Sequence, residues 1–125
     1  MGNKDINSVI EPVLKGSQVL TIRNIVKNIL IEEKLLQFIV KLTQHTRNHK
    51  SIYLGGSPRA SLAIMHASKA MAAINGRDFV TPEDILEVVP PVLRHRIILS
   101  PDKEMEGTTE DAVIRQIIQS MDIPR

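Results

Sequence analysis

From Pro58 to about Asn75 the chain is mostly Ala, Leu, Ile and Met, and these residues fall on several sides of a helix instead of along one stripe. A helix that is apolar over most of its circumference has to be packed by neighbours all round. The rest of the sequence must therefore supply that cover. At 125 residues the chain is long enough for one domain with a shared core and too short for two large ones.

The cover reads as further helices. Val19, Ile22, Val26 and Ile29 recur at i, i+3, i+7 and i+10, which predicts a first helix. Leu35, Ile39, Leu42 and Thr46 form the stripe of a second, with Phe38 beside it. The central helix ends at Asn75-Gly76, where glycine takes the left-handed cap conformation without steric cost. A fourth opens at Thr81-Pro82-Glu83-Asp84, with Thr81 as N-cap, proline in the first turn and two acids complementing the positive helix end. It is expected to stop near Pro90, with Pro91 starting a short turn through Val92, Leu93 and His95. The last begins around Thr108-Thr109-Glu110-Asp111 and carries Val113, Ile114, Ile117, Ile118 and Met121. Ile29-Leu30-Ile31 and Phe79-Val80 could pair as a minor ribbon, and Arg96-Ile97-Ile98-Leu99 could be extended. Loops are expected at 48–56 and at 100–108, the latter acidic and mobile. The fold class is all-α: a small bundle of about five helices with at most a minor short β pairing. The domain spans 9–125, and 1–8 read as a linker or leader.

Composition narrows the function classes. With no cysteine, disulfide frameworks, thiolate metal sites and cysteine nucleophiles are excluded. A formal charge of +2 is too small to imply nucleic acid or membrane by itself. It hides an asymmetry: residues 34–77 hold Lys34, Lys41, Arg47, Lys50, Arg59, Lys69 and Arg77 and no acid, whereas 78–125 are acidic on balance. Such a block either meets an anion or faces the acidic third within the fold. Val88-Val89-Pro90-Pro91-Val92-Leu93 is the longest apolar run and falls far short of the roughly 18 residues of a membrane helix. Met1-Gly2-Asn3-Lys4-Asp5 lacks the apolar core of a signal peptide, and Ile6 stands where a myristoylation signal needs Ser or Thr. A soluble, cytoplasmic domain without membrane insertion is expected.

The stretch that carries chemistry is Tyr53-Leu54-Gly55-Gly56-Ser57-Pro58-Arg59-Ala60. Two glycines allow a sharp turn or a close approach of backbone to a ligand. Ser57 is the expected N-cap and Pro58 the first helical residue, which puts Arg59 in the first turn. There the macrodipole is positive, so an arginine costs a few tenths of a kcal/mol where an acid would help. The chain holds its own control: at Thr81-Pro82-Glu83-Asp84 the same cap-proline start is followed by acids. Backbone N–H groups, the dipole and a guanidinium converge on one place, and a phosphate fits it better than a carboxylate. The alternative is that Arg59 reaches solvent or pairs with an acid from 78–125.

Gly55-Gly56-Ser57-Pro58-Arg59-Ala60-Ser61-Leu62-Ala63 resembles the start of the sensor-2 helix in the C-terminal lid of MoxR-type AAA+ ATPases. The resemblance continues through Ala67, Ala70, Gly76-Arg77-Asp78-Phe79-Val80-Thr81-Pro82-Glu83-Asp84-Ile85 and Val92-Leu93-Arg94-His95-Arg96-Ile97, and upstream to Ile39-Val40-Lys41-Leu42 with Thr46-Arg47. It covers nearly everything from Val9 onward, and the runs together are specific where each alone would be weak. It implies that Arg59 is the catalytic-site arginine that reaches the γ-phosphate of ATP, with Gly56, Ser57, Pro58 and Ala60 beside it at the nucleotide. It also implies a preceding P-loop core that holds ATP and Mg2+, neighbouring subunits in a ring, and chaperone-like work on client complexes with von Willebrand factor A-domain partners. The departure is that no Gly-x-x-x-x-Gly-Lys-Ser/Thr occurs in the chain and no apolar strand ends in an Asp suited to Mg2+. The full-length parent is thus expected to be the ATPase, and the chain alone inactive.

Other residues weigh less. His45 and His49, four apart, could share a metal, but no HExxH accompanies them, and cations complementing a negative helix end is the plainer reading; no metal site is expected. His66 lies seven residues after Arg59, on the same face, and either lines the nucleotide cleft or abuts a neighbouring helix. Arg94-His95-Arg96 reads as a surface cluster, and the resemblance raises contact with an adjacent subunit. Ser57, Ser61 and Ser68 are explained by capping and close packing, and Met65 and Met71 as core filler. The reading from a different class is a free-standing helical module that binds nucleic acid or protein. Against nucleic acid, aromatics for stacking are few and the cations are spread over two helices and a loop.

Overall fold

A computed structural model describes residues 8–125, so the leader assigned to 1–8 lies, apart from Ser8, outside the described residues. Six helices occur among them: α1 (Gly16–Lys27), α2 (Glu33–Asn48), α3 (Pro58–Ile74), α4 (Pro82–Leu93), α5 (Pro101–Met105) and α6 (Glu110–Gln119). Two short strands, β1 (Ile52–Leu54) and β2 (Ile98–Leu99), form an antiparallel ribbon with Ile52 opposite Leu99. Helix α3 packs on α4, α2 and α1, but it is not covered all round as expected: Leu62 and Ile74 are exposed, and its buried residues recur every four positions along one stripe. Its buried residues are small or slender, Ala60, Ile64, Ser68 and Ala72, which lets the neighbouring backbones come close. Around it the core is aliphatic: Leu35, Ile39 and Leu42 from α2, Ile85, Val89 and Leu93 from α4, Val113, Ile114 and Ile117 from α6. Each such side chain contributes about 1.5–3 kcal/mol on burial.

The junction between α3 and α4 is locked by polar groups. Gly76 takes φ +74° and turns the chain out of α3. Arg77 then donates to both oxygens of Asp84, each at 2.6 Å, and its ring-facing side lies over Phe79 with Cζ 5.7 Å from the centroid. Asp84 also accepts the Thr81 N–H at 2.8 Å, while the Thr81 hydroxyl accepts the Asp84 N–H at 3.4 Å, a closed capping box. Burial alone would push the Asp84 carboxyl up. The hydrogen bonds and charge of Arg77, with those from Thr81, outweigh it and hold the carboxyl below its ordinary value. The Gly-Arg-Asp and Thr-Pro-Glu-Asp runs are therefore one clasp. The expected ribbon is present as a single parallel bridge from Leu30 to Phe79, where the Val80 N–H donates to the Leu30 carbonyl at 2.9 Å.

Four further expectations need correction. The loop expected at 48–56 contains β1, which finds its partner in β2 far along the chain. The loop expected at 100–108 contains α5, a single turn started by Pro101. Helix α4 does not stop at Pro90 but runs through both prolines to Leu93. So near the C-terminus the missing N–H groups forfeit only two ladder bonds, and full burial of Leu93 holds the last turn in place. Finally, the stripe that predicts α1 is mostly uncovered. None of its helical residues is buried, Val19, Ile22 and Ile25 are exposed, and Ile29, fully inside, falls just past the helix end.

Candidate functional site

The segment before α3 is built on the end of α2. A Cβ on Gly55 would come within 2.6 Å of the Arg47 and Thr46 backbone, so only glycine passes there. The Gly56 N–H donates to Thr46 Oγ1 at 2.8 Å, and its carbonyl accepts Arg47 Nε at 2.7 Å. Ser61 Oγ donates to Thr43 Oγ1 at 2.8 Å, which pins the first turn of α3 to the same helix. Thr46, read from sequence as part of the α2 stripe, and Arg47, read as part of the basic block, thus fix where α3 begins.

This scaffold divides the five residues expected at the nucleotide. Gly56 and Ala60 are buried, whereas Ser57, Pro58 and Arg59 are exposed. Gly56 spends its amide on Thr46, Pro58 has none, and the Ala60 N–H donates to the Ser57 carbonyl at 2.8 Å. Ser57 occupies the N-cap position in extended backbone, but its side chain makes no capping bond. Gly56 and Ala60 therefore shape the turn, and Arg59 is the group it presents.

Arg59 lines a cleft of about 750 Å³. Leu54, Gly55 and Ser57 form one wall, Leu62, Ala63 and His66 continue along α3, and Arg96 enters from beyond α4. His66 thus does share the cleft with Arg59. Arg96, read from sequence as part of a surface cluster, is the member the sequence reading did not bring here. The cluster splits, because Arg94 donates to both oxygens of Asp111, at 3.1 and 3.0 Å. Arg96 instead donates to the Val92 carbonyl at 3.2 Å and lies 2.9 Å from His95 Nε2. Among the described residues no carboxylate lines the cleft. Its donors suit a polyphosphate and do not suit a divalent cation, which needs oxygen ligands.

Three other cations of the basic block are engaged elsewhere. Arg77 pairs with Asp84, Lys34 with Glu32, and Lys69 Nζ donates to the Lys27 carbonyl at the end of α1. His49 does not serve as a cation at its helix end. Burial, then Lys50 and His45, lower its pKa, and its Nδ1 accepts the Ser51 N–H at 3.1 Å. Among the described residues no cluster of metal-binding side chains is present, and no helix is long and apolar enough to cross a membrane.

Comparison with known proteins gives a consistent result. The sequence model of the AAA lid domain matches residues 44–117. The chain is 36% identical over 115 residues to the uncharacterized protein YeaC of Bacillus subtilis, covering 92% of this chain and 36% of that protein. It is 31% identical over 122 residues to the chaperone MoxR1 of Mycobacterium tuberculosis, covering 90% of this chain and 32% of MoxR1. A crystal structure of a Cytophaga hutchinsonii protein described as an ATPase superposes with a TM-score of 0.87 at 34% identity, over 98% of this chain and 40% of that one. The chain thus spans about a third of the length of the curated relatives it matches. The chain belongs to the AAA lid domain family and is a lid of the MoxR type.

Proposed function

We propose that the chain serves as the C-terminal lid of an AAA+ ATPase, with Arg59 as its sensor-2 residue toward the γ-phosphate of ATP. One observation carries this reading. In the first turn of α3 stands an arginine that, among the described residues, has no carboxylate partner and faces a cleft lined by no acid. An arginine there is unfavourable for the helix and favourable for an anion. ATP and Mg2+ would be held chiefly by a P-loop core elsewhere in the polypeptide, and the lid chain alone would be inactive. Arg59 would stabilise charge on the γ-phosphate and couple the nucleotide's state to the position of the lid.

The exposed apolar residues of α1 suit burial against that core domain or a neighbouring subunit of a ring. A relative named as a chaperone supports chaperone-like work; client complexes, a cytoplasmic setting and von Willebrand factor A-domain partners belong to the same proposal. The test is Arg59→Ala in the longer ATPase polypeptide. Turnover should fall, or nucleotide binding should uncouple from hydrolysis, with the lid still folded. Unchanged steady-state kinetics would remove the sensor role.

A further inference from the structure

We propose that Arg96 is a second phosphate-binding cation of the Arg59 cleft. The inference rests on the reading of Arg59 as phosphate-facing and adds a residue from a different element. Two positions apart, Arg94 and Arg96 meet different fates: Arg94 is satisfied by Asp111, while Arg96 has no carboxylate partner among the described residues. Of the paired arginines, Arg77, Arg94 and Arg125 each have an acid, at Asp84, Asp111 and Glu83. Arg23, Arg47, Arg59, Arg96 and Arg115 have no such acid among the described residues, and of these Arg59 and Arg96 line the same cleft. Two cations sharing a cavity without an acid repel one another, and an anion between them reverses the sign of that interaction.

Arg96 is also held in a way that suits binding. Its NH1 group is engaged by the Val92 carbonyl and His95 Nε2. That leaves the edge formed by Nε and NH2, the fork that takes two phosphate oxygens at once. Arg59 rides on α3, whereas Arg96 belongs to the connection between α4 and β2. A polyphosphate touching both would tie the start of α3 to that corner, so the ligand would be read by two elements and not by one helix end.

The experiment titrates the chain with inorganic tripolyphosphate and follows the arginine Nε–H and backbone amide resonances by NMR, which detects millimolar binding. Wild type should show saturable shifts at both Arg59 and Arg96. Arg96→Gln should weaken binding by about tenfold, one charge-assisted contact's worth. Arg96→Lys keeps the charge without the fork and should lose less. Arg94→Gln should stay within about twofold, since its partner is Asp111. Amides of Leu99 and Ser100 report whether the corner stays folded; if Arg96→Gln disturbs them, Arg96→Lys carries the test. Wild-type affinity in both Arg96 variants, with Arg59→Gln weakened, would overturn the role of Arg96 and leave that of Arg59. No saturable shift at either arginine in wild type would overturn both.

Discussion

The chain starts two helices with the same signature, Thr81-Pro82 and Ser57-Pro58, and finishes them in opposite ways. At α4 the start is closed on itself: Thr81 and Asp84 exchange hydrogen bonds, and Arg77 clamps the carboxylate from outside. At α3 the start is left open: Ser57 makes no capping bond, and the first turn holds Arg59 where α4 holds Glu83 and Asp84. The first arrangement spends polar groups on stability. The second leaves the Arg59 guanidinium without a carboxylate partner among the described residues. On the proposed function, what would separate a structural helix start from a binding one is not the cap-proline signature but whether the charge that follows is answered within the chain.

The largest effect should come from breaking the closed start. Asp84 is buried and paired with Arg77, so Asp84→Ala should cost about 3 kcal/mol, the lower end for removing one member of a buried pair. Thermal unfolding followed by circular dichroism should show a drop on the order of 10 °C for a domain of this size. Arg59→Ala, at the open start, should leave the midpoint nearly unmoved. Equal losses in the two variants would mean that both starts are structural.

The same clasp sets an acid limb. Because Asp84 is held below its ordinary pKa in the fold, its contribution is present above the unfolded carboxyl value, near ~4, and fades as pH falls through the folded value. Denaturant midpoints should therefore hold from neutral pH down to that region and then decline. Asp84→Asn should flatten the decline. A wild-type midpoint that held constant well below that region would contradict the clasp's electrostatics.

This contrast also marks what the sequence could disclose. Local signals were legible because their causes are local: Thr81 capping Asp84, Gly76 ending α3 and the stripe Leu35, Ile39, Leu42 and Thr46 all act within a few residues. Arg59 was legible as an anomaly because its own helix start disfavours it. What stayed hidden depends on distant partners. Strand β1 exists through Leu99, Pro90 and Pro91 stay helical because Leu93 is buried by other elements, and Arg96 reaches the cleft only once α4 has packed on α3. The exposed face of α1 was hidden in a different sense. Its stripe has the helical period of a buried face, and periodicity alone does not say whether the cover lies within these residues.

A smaller effect sharpens the comparison at the caps themselves. Thr81→Ala removes a capping bond and should cost about 1 kcal/mol. Ser57→Ala removes no such bond and should cost only a few tenths of a kcal/mol. Urea midpoints of the two variants would separate the cases, and a larger loss at Ser57 would show that the open start is closed in solution.

The smallest change in stability should be the most telling, because its sign is opposite. Arg59→Glu replaces a cation by an anion in the first turn of α3, so the helix should gain a few tenths of a kcal/mol from the macrodipole. The unfolding midpoint should rise by about 1–2 °C. Among the described residues no acid lines the cleft to oppose the change, and Arg96 lines it as a cation. Phosphate binding should nevertheless vanish, because the cleft would then offer one cation and one anion. A protein made slightly more stable and unable to bind is the outcome expected of a residue kept against the preference of its own helix. A fall in the midpoint would mean instead that Arg59 supports the fold, and the open start of α3 would lose its claim to be a binding site.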